Sequence, residues 1–235
     1  MKKWRKNNNK DESKEYFKIL FDKNQFIEIN KKLNFIKNIN FIDKKPYLLK
    51  IKEIKKKTKL EESVRTAYGK INNCNILIVC IDFNFIGGTI GLTAGEKISR
   101  AIKYSIIKKV PLIIISKSGG MRITESGFAL IQMAKISSKL SELLKLKIPY
   151  ISLMTNPTAG GSTASFGMLG DFNISEPNTL ICFTGPKIIE EFTKKKIKKK
   201  YQNSEKLIKR GFLDFIVNKK KTKNIITKLL KMLKT

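Results

Sequence analysis

An α/β fold built from repeated strand–turn–helix crossovers is predicted for this chain, on three observations. Short, continuous, β-branched apolar runs occur at Asn75–Ile81 (NILIVCI), Pro111–Ser116 (PLIIIS) and Pro149–Met154 (PYISLM), and such runs read as strands buried on both faces. Each leads into a glycine-rich stretch, with pairs at Gly87-Gly88, Gly119-Gly120 and Gly160-Gly161. Helical spacing follows, in Ile98, Ala101, Ile102 and Ile106 and again in Phe128, Ile131, Ala134, Leu140 and Leu144. Alternation of this kind is the signature of crossover units on a largely parallel sheet.

Taken in order, residues 1–60 are rich in Lys and Asn, with scattered apolar positions, and are expected to form an arm laid on the globular part. Within it Tyr16–Phe21 suits a short helix and Phe26–Ile29 an extended piece, while Lys50–Lys59 reads as a solvated helix face. Residues 61–235 form the expected main domain. Its first strand, Asn75–Ile81, leads through DFNFIGGTIG to a helix at Ala94–Lys109. The second strand ends at Ser116, and KSGGMR feeds the next helix; the third ends at Met154, before TNPTAGGSTASFGMLGD. Short strands are expected near Phe172–Ser175, Leu180–Phe183 and Phe212–Val217, with helices from Pro186, at Asn203–Arg210 and at Lys223–Leu233.

Composition removes several function classes. The 235 residues suit one domain, and an apolar fraction of 41% argues against wholesale disorder despite a net charge of +30. Histidine is absent, which excludes a Ser-His-Asp triad and His-ligated zinc from this chain. Cys74, Cys80 and Cys182 form no CxxC pair and sit in or beside apolar runs, so they read as structural thiols of a reducing compartment. Arginine supplies only Arg5, Arg65, Arg100, Arg122 and Arg210; the remaining basic residues are lysines, accompanied by much Asn and Ile, as an AT-rich genome produces. Nucleic acid is therefore expected to bind only non-specifically. No apolar run approaches a membrane span, and MKKWRKNNNKDESK lacks the apolar stretch of a secretory signal, so a soluble protein without membrane contact is expected.

Candidate chemistry gathers at the glycine pairs. Glycine lets backbone approach a ligand closely, and N–H groups at a strand-to-helix turn suit a phosphate or a developing oxyanion. GGTIG has the wrong spacing for a dinucleotide fingerprint, and no GxxxxGK[ST] occurs. Ser118 and Ser162 have no histidine base, which leaves only a Ser-Lys dyad as a hydrolase reading. Asp171 and Glu176 suit capping or pairing as well as acid–base work, and Arg122 suits either structural anchoring or anion contact.

The stretches DFNFIGGTIGLTAGEKISRAI, SKSGGMRITESGFALIQMAKISSKL and TNPTAGGSTASFGMLGDFNISEPNTLICFTGPKIIEEF, in that order, closely resemble the β subunit of acetyl-CoA carboxylase carboxyltransferase, from about Val64 to Val217. The resemblance implies a crotonase-like (ClpP/crotonase) fold, a spiral of ββα units. It implies transfer of a carboxyl group from carboxybiotin, held on a separate carrier protein, to acetyl-CoA, giving malonyl-CoA for fatty-acid synthesis. By motif, Gly160 and Gly161 match the oxyanion pair, taken as catalytic, with the biotin ureido group as base. Gly119 and Gly120 match SGGAR beside the coenzyme A path, Gly87 and Gly88 match FxGGS, and Arg122 matches the arginine of SGGAR; these five are expected to bind substrate. Implied partners are an α subunit in an α2β2 heterotetramer, the biotin carboxyl carrier protein and biotin carboxylase, in a bacterial cytoplasm or plastid stroma.

There are departures. The family's four-cysteine zinc ribbon has no counterpart here, so no metal is expected. Met121 replaces the alanine of SGGAR, Ile123-Thr124 replaces Met-Gln, and Lys194–Lys200 replaces a stretch with Pro and Gly. A bulky Met121 narrows the coenzyme channel unless it points into the core. The alternatives are another biotin-linked acyl-CoA carboxyltransferase or decarboxylase subunit, a non-catalytic assembly subunit, and a basic nucleic-acid-binding protein.

Overall fold

A computed structural model of the chain describes residues 12–33, 39, 41–42, 45–197 and 201–233. The lysine- and asparagine-rich start up to residue 11, and 198–200 of the Lys194–Lys200 run, lie outside the described residues. One sheet organises the rest. Its order is β1 (Phe26–Ile29), β2 (Val64–Ile71), β3 (Cys74–Ile81), β4 (Leu112–Ser118), β5 (Tyr150–Ala159), β6 (Phe172–Ser175) and β8 (Phe215–Ile216), with β7 (Ile181–Cys182) beside the end of β5. The first three strands pair antiparallel, and every pairing from β3 onward is parallel. Helix α3 (Leu92–Lys108) links β3 to β4, and α4 (Ser126–Lys145) links β4 to β5, as the alternation in the sequence predicts.

The continuous apolar runs are explained by burial on both faces. In β3, Leu77, Val79 and Ile81 point into a cluster with Ala94, Ile98, Ala101 and Ile102 of α3 and Ile136, Leu140 and Leu143 of α4. Ile76, Ile78 and Cys80 alternate with them and enter a second cluster, beneath α1 (Glu12–Leu20) and α7 (Thr222–Met232). Strands β4 and β5 divide their residues in the same way.

The N-terminal segment is more than an arm laid on the surface. Phe17, Leu20 and Phe21 are buried in the second cluster, and β1 pairs along β2 from Phe26↔Gly69 to Ile29↔Thr66. Each such side chain contributes about 1.5–3 kcal/mol of burial, so α1 is a structural layer of the same core. By contrast α2 (Tyr47–Thr58) does present lysines to solvent, and its inner residues Tyr47 and Ile51 form a small separate cluster with Leu60 and Phe85. The last third is irregular: α5 (Pro186–Thr193) buries no residue, α6 (Ser204–Leu207) is one turn, and the strand expected at Phe212–Val217 pairs only over Phe215–Ile216.

Candidate active site

The three glycine pairs come together. They follow β3, β4 and β5 at the carboxyl ends of those strands, where open α/β sheets bind ligands. Gly119 N–H donates to Gly87 O (2.9 Å), which ties the first turn to the second. Gly88 has a left-handed φ of +63°, and a Cβ there would collide with Lys117 O. The second and third turns touch through their backbones: a Cβ on Gly160 would lie 3.1 Å from Gly120 Cα. One on Gly120 would lie 3.5 Å from Gly161 N. Backbones approach this closely only because the side chains are missing.

Most N–H groups of these turns are already used. Gly88 donates to Phe85 O (3.0 Å), Gly120 to Ser118 Oγ (3.1 Å), and Gly160 to Cys182 O (2.9 Å) and Phe183 O (3.1 Å). The Gly87 and Gly161 N–H groups have no acceptor among the described residues. A φ of +65° at Gly160 turns the following peptide, so that Gly161 faces a different direction from Gly160. The helices expected directly after the glycine pairs differ from those observed. Past Gly120 the chain makes a bridge between Met121 and Ile90 and a short turn at Ile123–Glu125 before α4 begins. Past Gly161 there is one helical turn that widens into a π-turn at Thr163–Gly167. Neither pair sits on a long helix, so no long-helix dipole adds to the Gly161 N–H.

Ser118 and Ser162 are both fully buried, with hydroxyl oxygens 2.7 Å apart. The neighbouring lysine does not complete a dyad, because Lys117 Nζ is 2.5 Å from Glu12 Oε1. The two hydroxyls bridge the second turn and the third. Arg122 is turned inward, with 2% of its side chain exposed. Its guanidinium pairs with Glu62, donates to Glu125 (2.9 Å), to Tyr47 Oη (3.2 Å) and to Thr89 O (2.9 Å), and lies over the Phe85 ring. Burial alone would lower its pKa, but the carboxylates of Glu62 and Glu125 hold it above its ordinary value. Of the two readings open from sequence, the geometry is that of an anchor, whose donors end on buried side chains and on Thr89, directly after Gly88.

Asp171 accepts from Tyr150 N–H (2.8 Å) and Glu176 from Tyr16 Oη (2.6 Å), so both serve packing. Burial pushes the Cys80 and Cys182 thiols up, away from thiolate chemistry. Among the described residues no group of three His, Cys, Asp or Glu side chains is placed to hold a metal, and no helix is long and apolar enough to cross a membrane. Sequence reasoning missed which glycine N–H groups stay unoccupied and which hydroxyls hold the turns together. Only the loops from which those bonds come could have supplied the signal.

The carboxyl transferase domain family matches residues 7–235. The acetyl-coenzyme A carboxylase carboxyl transferase subunit beta of Amoebophilus asiaticus is 52% identical over 221 residues, 94% of this chain and 79% of that protein. Its namesake from Pedobacter heparinus is 51% identical over 222 residues, with the same coverage. Among solved structures, transcarboxylase 12S with methylmalonyl-coenzyme A bound aligns with a TM-score of 0.77 at 23% identity, covering 92% of this chain and 40% of that one. The Pseudomonas malonate decarboxylase hetero-tetramer aligns at 0.72 and 18% identity, covering 93% of this chain and 80% of that one. At such identities the structures speak for the fold alone, which is crotonase-like. With the whole described sheet inside the matched region and half its residues shared with a curated relative, the chain belongs to the carboxyl transferase family.

Proposed function

We propose that this chain is the β subunit of an acetyl-CoA carboxyltransferase, which binds acetyl-CoA and takes part in its carboxylation to malonyl-CoA. The observation that carries the reading is the unoccupied Gly161 N–H, set among three interlocked glycine turns. Removing a proton from the methyl carbon of a thioester makes its carbonyl oxygen enolate-like. That oxygen needs a fixed donor and no side-chain acid, which suits a chain without histidine. In this reading Gly161 donates to the oxygen, and Gly160 sets the turn through its left-handed φ while its own N–H stays with Cys182 and Phe183. Gly87, Gly88, Gly119 and Gly120 contribute a backbone surface without side chains, along which the coenzyme arm can lie close. Arg122 holds the second turn in place from behind. Biotin, borne by a separate carrier protein, supplies the carboxyl group.

The partners follow the same reading: an α subunit in an α2β2 assembly, the biotin carboxyl carrier protein and biotin carboxylase, in the cytoplasm. A covering subunit is supported by exposed apolar side chains flanking the turns, Ile123 at 89%, Phe128 at 59% and Phe183 at 67% exposed. The testing experiment is carboxyl transfer from malonyl-CoA to biocytin, with and without the matching α subunit. Activity is expected only in the mixture, and a well-formed complex that stays silent overturns the reading. Gly161→Val keeps the N–H, but its side chain collides with Met133 and Met121 and displaces the donor, so kcat in that complex should fall by roughly 100-fold, as for a misplaced oxyanion donor worth about 2.7 kcal/mol, while assembly persists. Turnover like the wild type would remove Gly161 from the mechanism.

A further inference from the structure

The face of Gly161 that carries no side chain is covered by two methionines. A Cβ on Gly161 would collide with Met133 Sδ and lie 2.8 Å from Met121 Cγ and 3.2 Å from Met121 Cε. The two thioethers come from different places: Met121 directly follows the second glycine turn, and Met133 lies two turns into α4. Both are half-buried, and Met121 also leans on the cluster between the sheet, α3 and α4. Met121 is fixed at its backbone, because the flanking Gly120 O and Arg122 N bond to Ile90 (both 2.9 Å). Its Cα is therefore fixed, and its side chain lies against the bare face of Gly161 Cα.

We propose that Met121 and Met133 form the wall of the acyl site and disfavour a methyl branch on the acyl α-carbon. The inference rests on the reading of Gly161 as the donor to the thioester oxygen. A carbonyl held at hydrogen-bond distance from Gly161 N brings its α-carbon next to the same residue. One substituent of that atom is the carboxyl group being transferred, which points towards biotin; a second carbon, such as the methyl of methylmalonyl-CoA, falls on the side of the two thioethers. Methionine is unbranched and adaptable, so the wall yields rather than blocks, and discrimination against one extra methyl is graded. A hydrophobic pocket separates substrates differing by one methylene by about 10–200-fold, which sets the size of the expected effect.

The test compares malonyl-CoA with methylmalonyl-CoA as carboxyl donor to biocytin, in the assembled complex with the α subunit. The proteins compared are the wild type, Met121→Ala, Met133→Ala and the bulk-preserving Met121→Leu. Binding of acetyl-CoA and propionyl-CoA by calorimetry gives a readout independent of turnover. The wild type should favour malonyl-CoA and acetyl-CoA. Either alanine variant should raise the kcat/KM ratio for methylmalonyl-CoA over malonyl-CoA by about tenfold, with a parallel gain in propionyl-CoA affinity, and Met121→Leu should move it far less. Because the two alanine changes lie on separate elements, one suffices if the other fails to assemble. Alanine variants that keep wild-type selectivity overturn the wall while leaving the functional reading intact. A wild-type complex inert towards both donors and binding neither acyl-CoA overturns the functional reading, and the wall with it.

Discussion

The hydroxyls of Ser118 and Ser162 link two turns that the sequence shows only as separate glycine pairs. Ser118 Oγ accepts from Gly120 N–H and meets Ser162 Oγ, and Ser162 directly follows Gly161. Replacing Ser118 with alanine leaves Gly120 N–H without its acceptor, so Ser118→Ala should cost about 1–3 kcal/mol in urea denaturation, more than Ser162→Ala. The double variant should cost less than the sum, since both buried partners go together; strict additivity would show that the pair is not coupled. Arg122 shows a second limit of sequence. Nothing in SGGMR shows that Glu62 and Tyr47, remote in the chain, converge on the guanidinium. Arg122→Met leaves Glu62 and Glu125 buried without their cation and should destabilise the fold by about 3–5 kcal/mol, read from the shift of the urea midpoint. The glycines were legible because a missing side chain is visible in the sequence; the bonding of each N–H depends on tertiary partners and was not.

At the scale of elements, the strands with continuous apolar runs were readable, as was the half-exposed β1, but β2 was not. Strand β2 escaped because Gly69 and Lys70 interrupt its apolar pattern. The turn after it did carry a signal: Asn72 and Asn73 have φ of 48° and 63°, and Ile71 pairs with Cys74. Two consecutive left-handed residues make a type I′ hairpin, for which asparagine is suited. Helix α1 was readable as a helix but not as a layer; a sheet apolar on both faces needs cover on both, and Phe17, Leu20 and Phe21 supply it. Helix α3 carries an opposite case, a lysine on a buried face. Lys97 is 3% exposed, and its Nζ donates to Val64 O at 3.3 Å. Burial lowers its pKa, with partial opposition from Glu62, Glu28 and Glu61. At low pH the ammonium is charged in both folded and unfolded chains, and the burial cost is fully present. As pH rises through the depressed folded value towards about 10.4, the folded state loses its proton first and the cost is lifted. The wild type should therefore gain stability relative to Lys97→Met across that interval; a difference independent of pH would show that Lys97 titrates normally.

The net charge of +30 acts over the whole molecule, and how it is distributed decides what it can recognise. Acidic groups are largely engaged locally: Glu96 with Arg100 and Lys135, Glu15 with Lys219, Asp22 with Lys223. The described arginines are engaged as well, Arg65 with Glu28, Arg122 in its buried cluster and Arg210 over the Tyr201 ring. What faces solvent is mainly lysine, a hydrated point charge on a flexible stem, without the fork that reads a base edge or clasps a phosphate. Such a surface attracts any polyanion by releasing its counterions, and the attraction decays once the screening length falls to about 10 Å near 0.1 M salt. RNA, DNA and heparin should therefore bind this protein with similar affinity at low salt, without sequence preference. All three should be lost together on raising salt to a few tenths molar, as followed by fluorescence anisotropy. Acetyl-CoA, with its few phosphates, should also weaken with salt but less steeply than these polyanions, because fewer counterions are released and the proposed acyl contact at Gly161 is a neutral N–H. RNA binding that kept a sequence preference at high salt would reverse this assignment and make the basic surface a selected reader of nucleic acid.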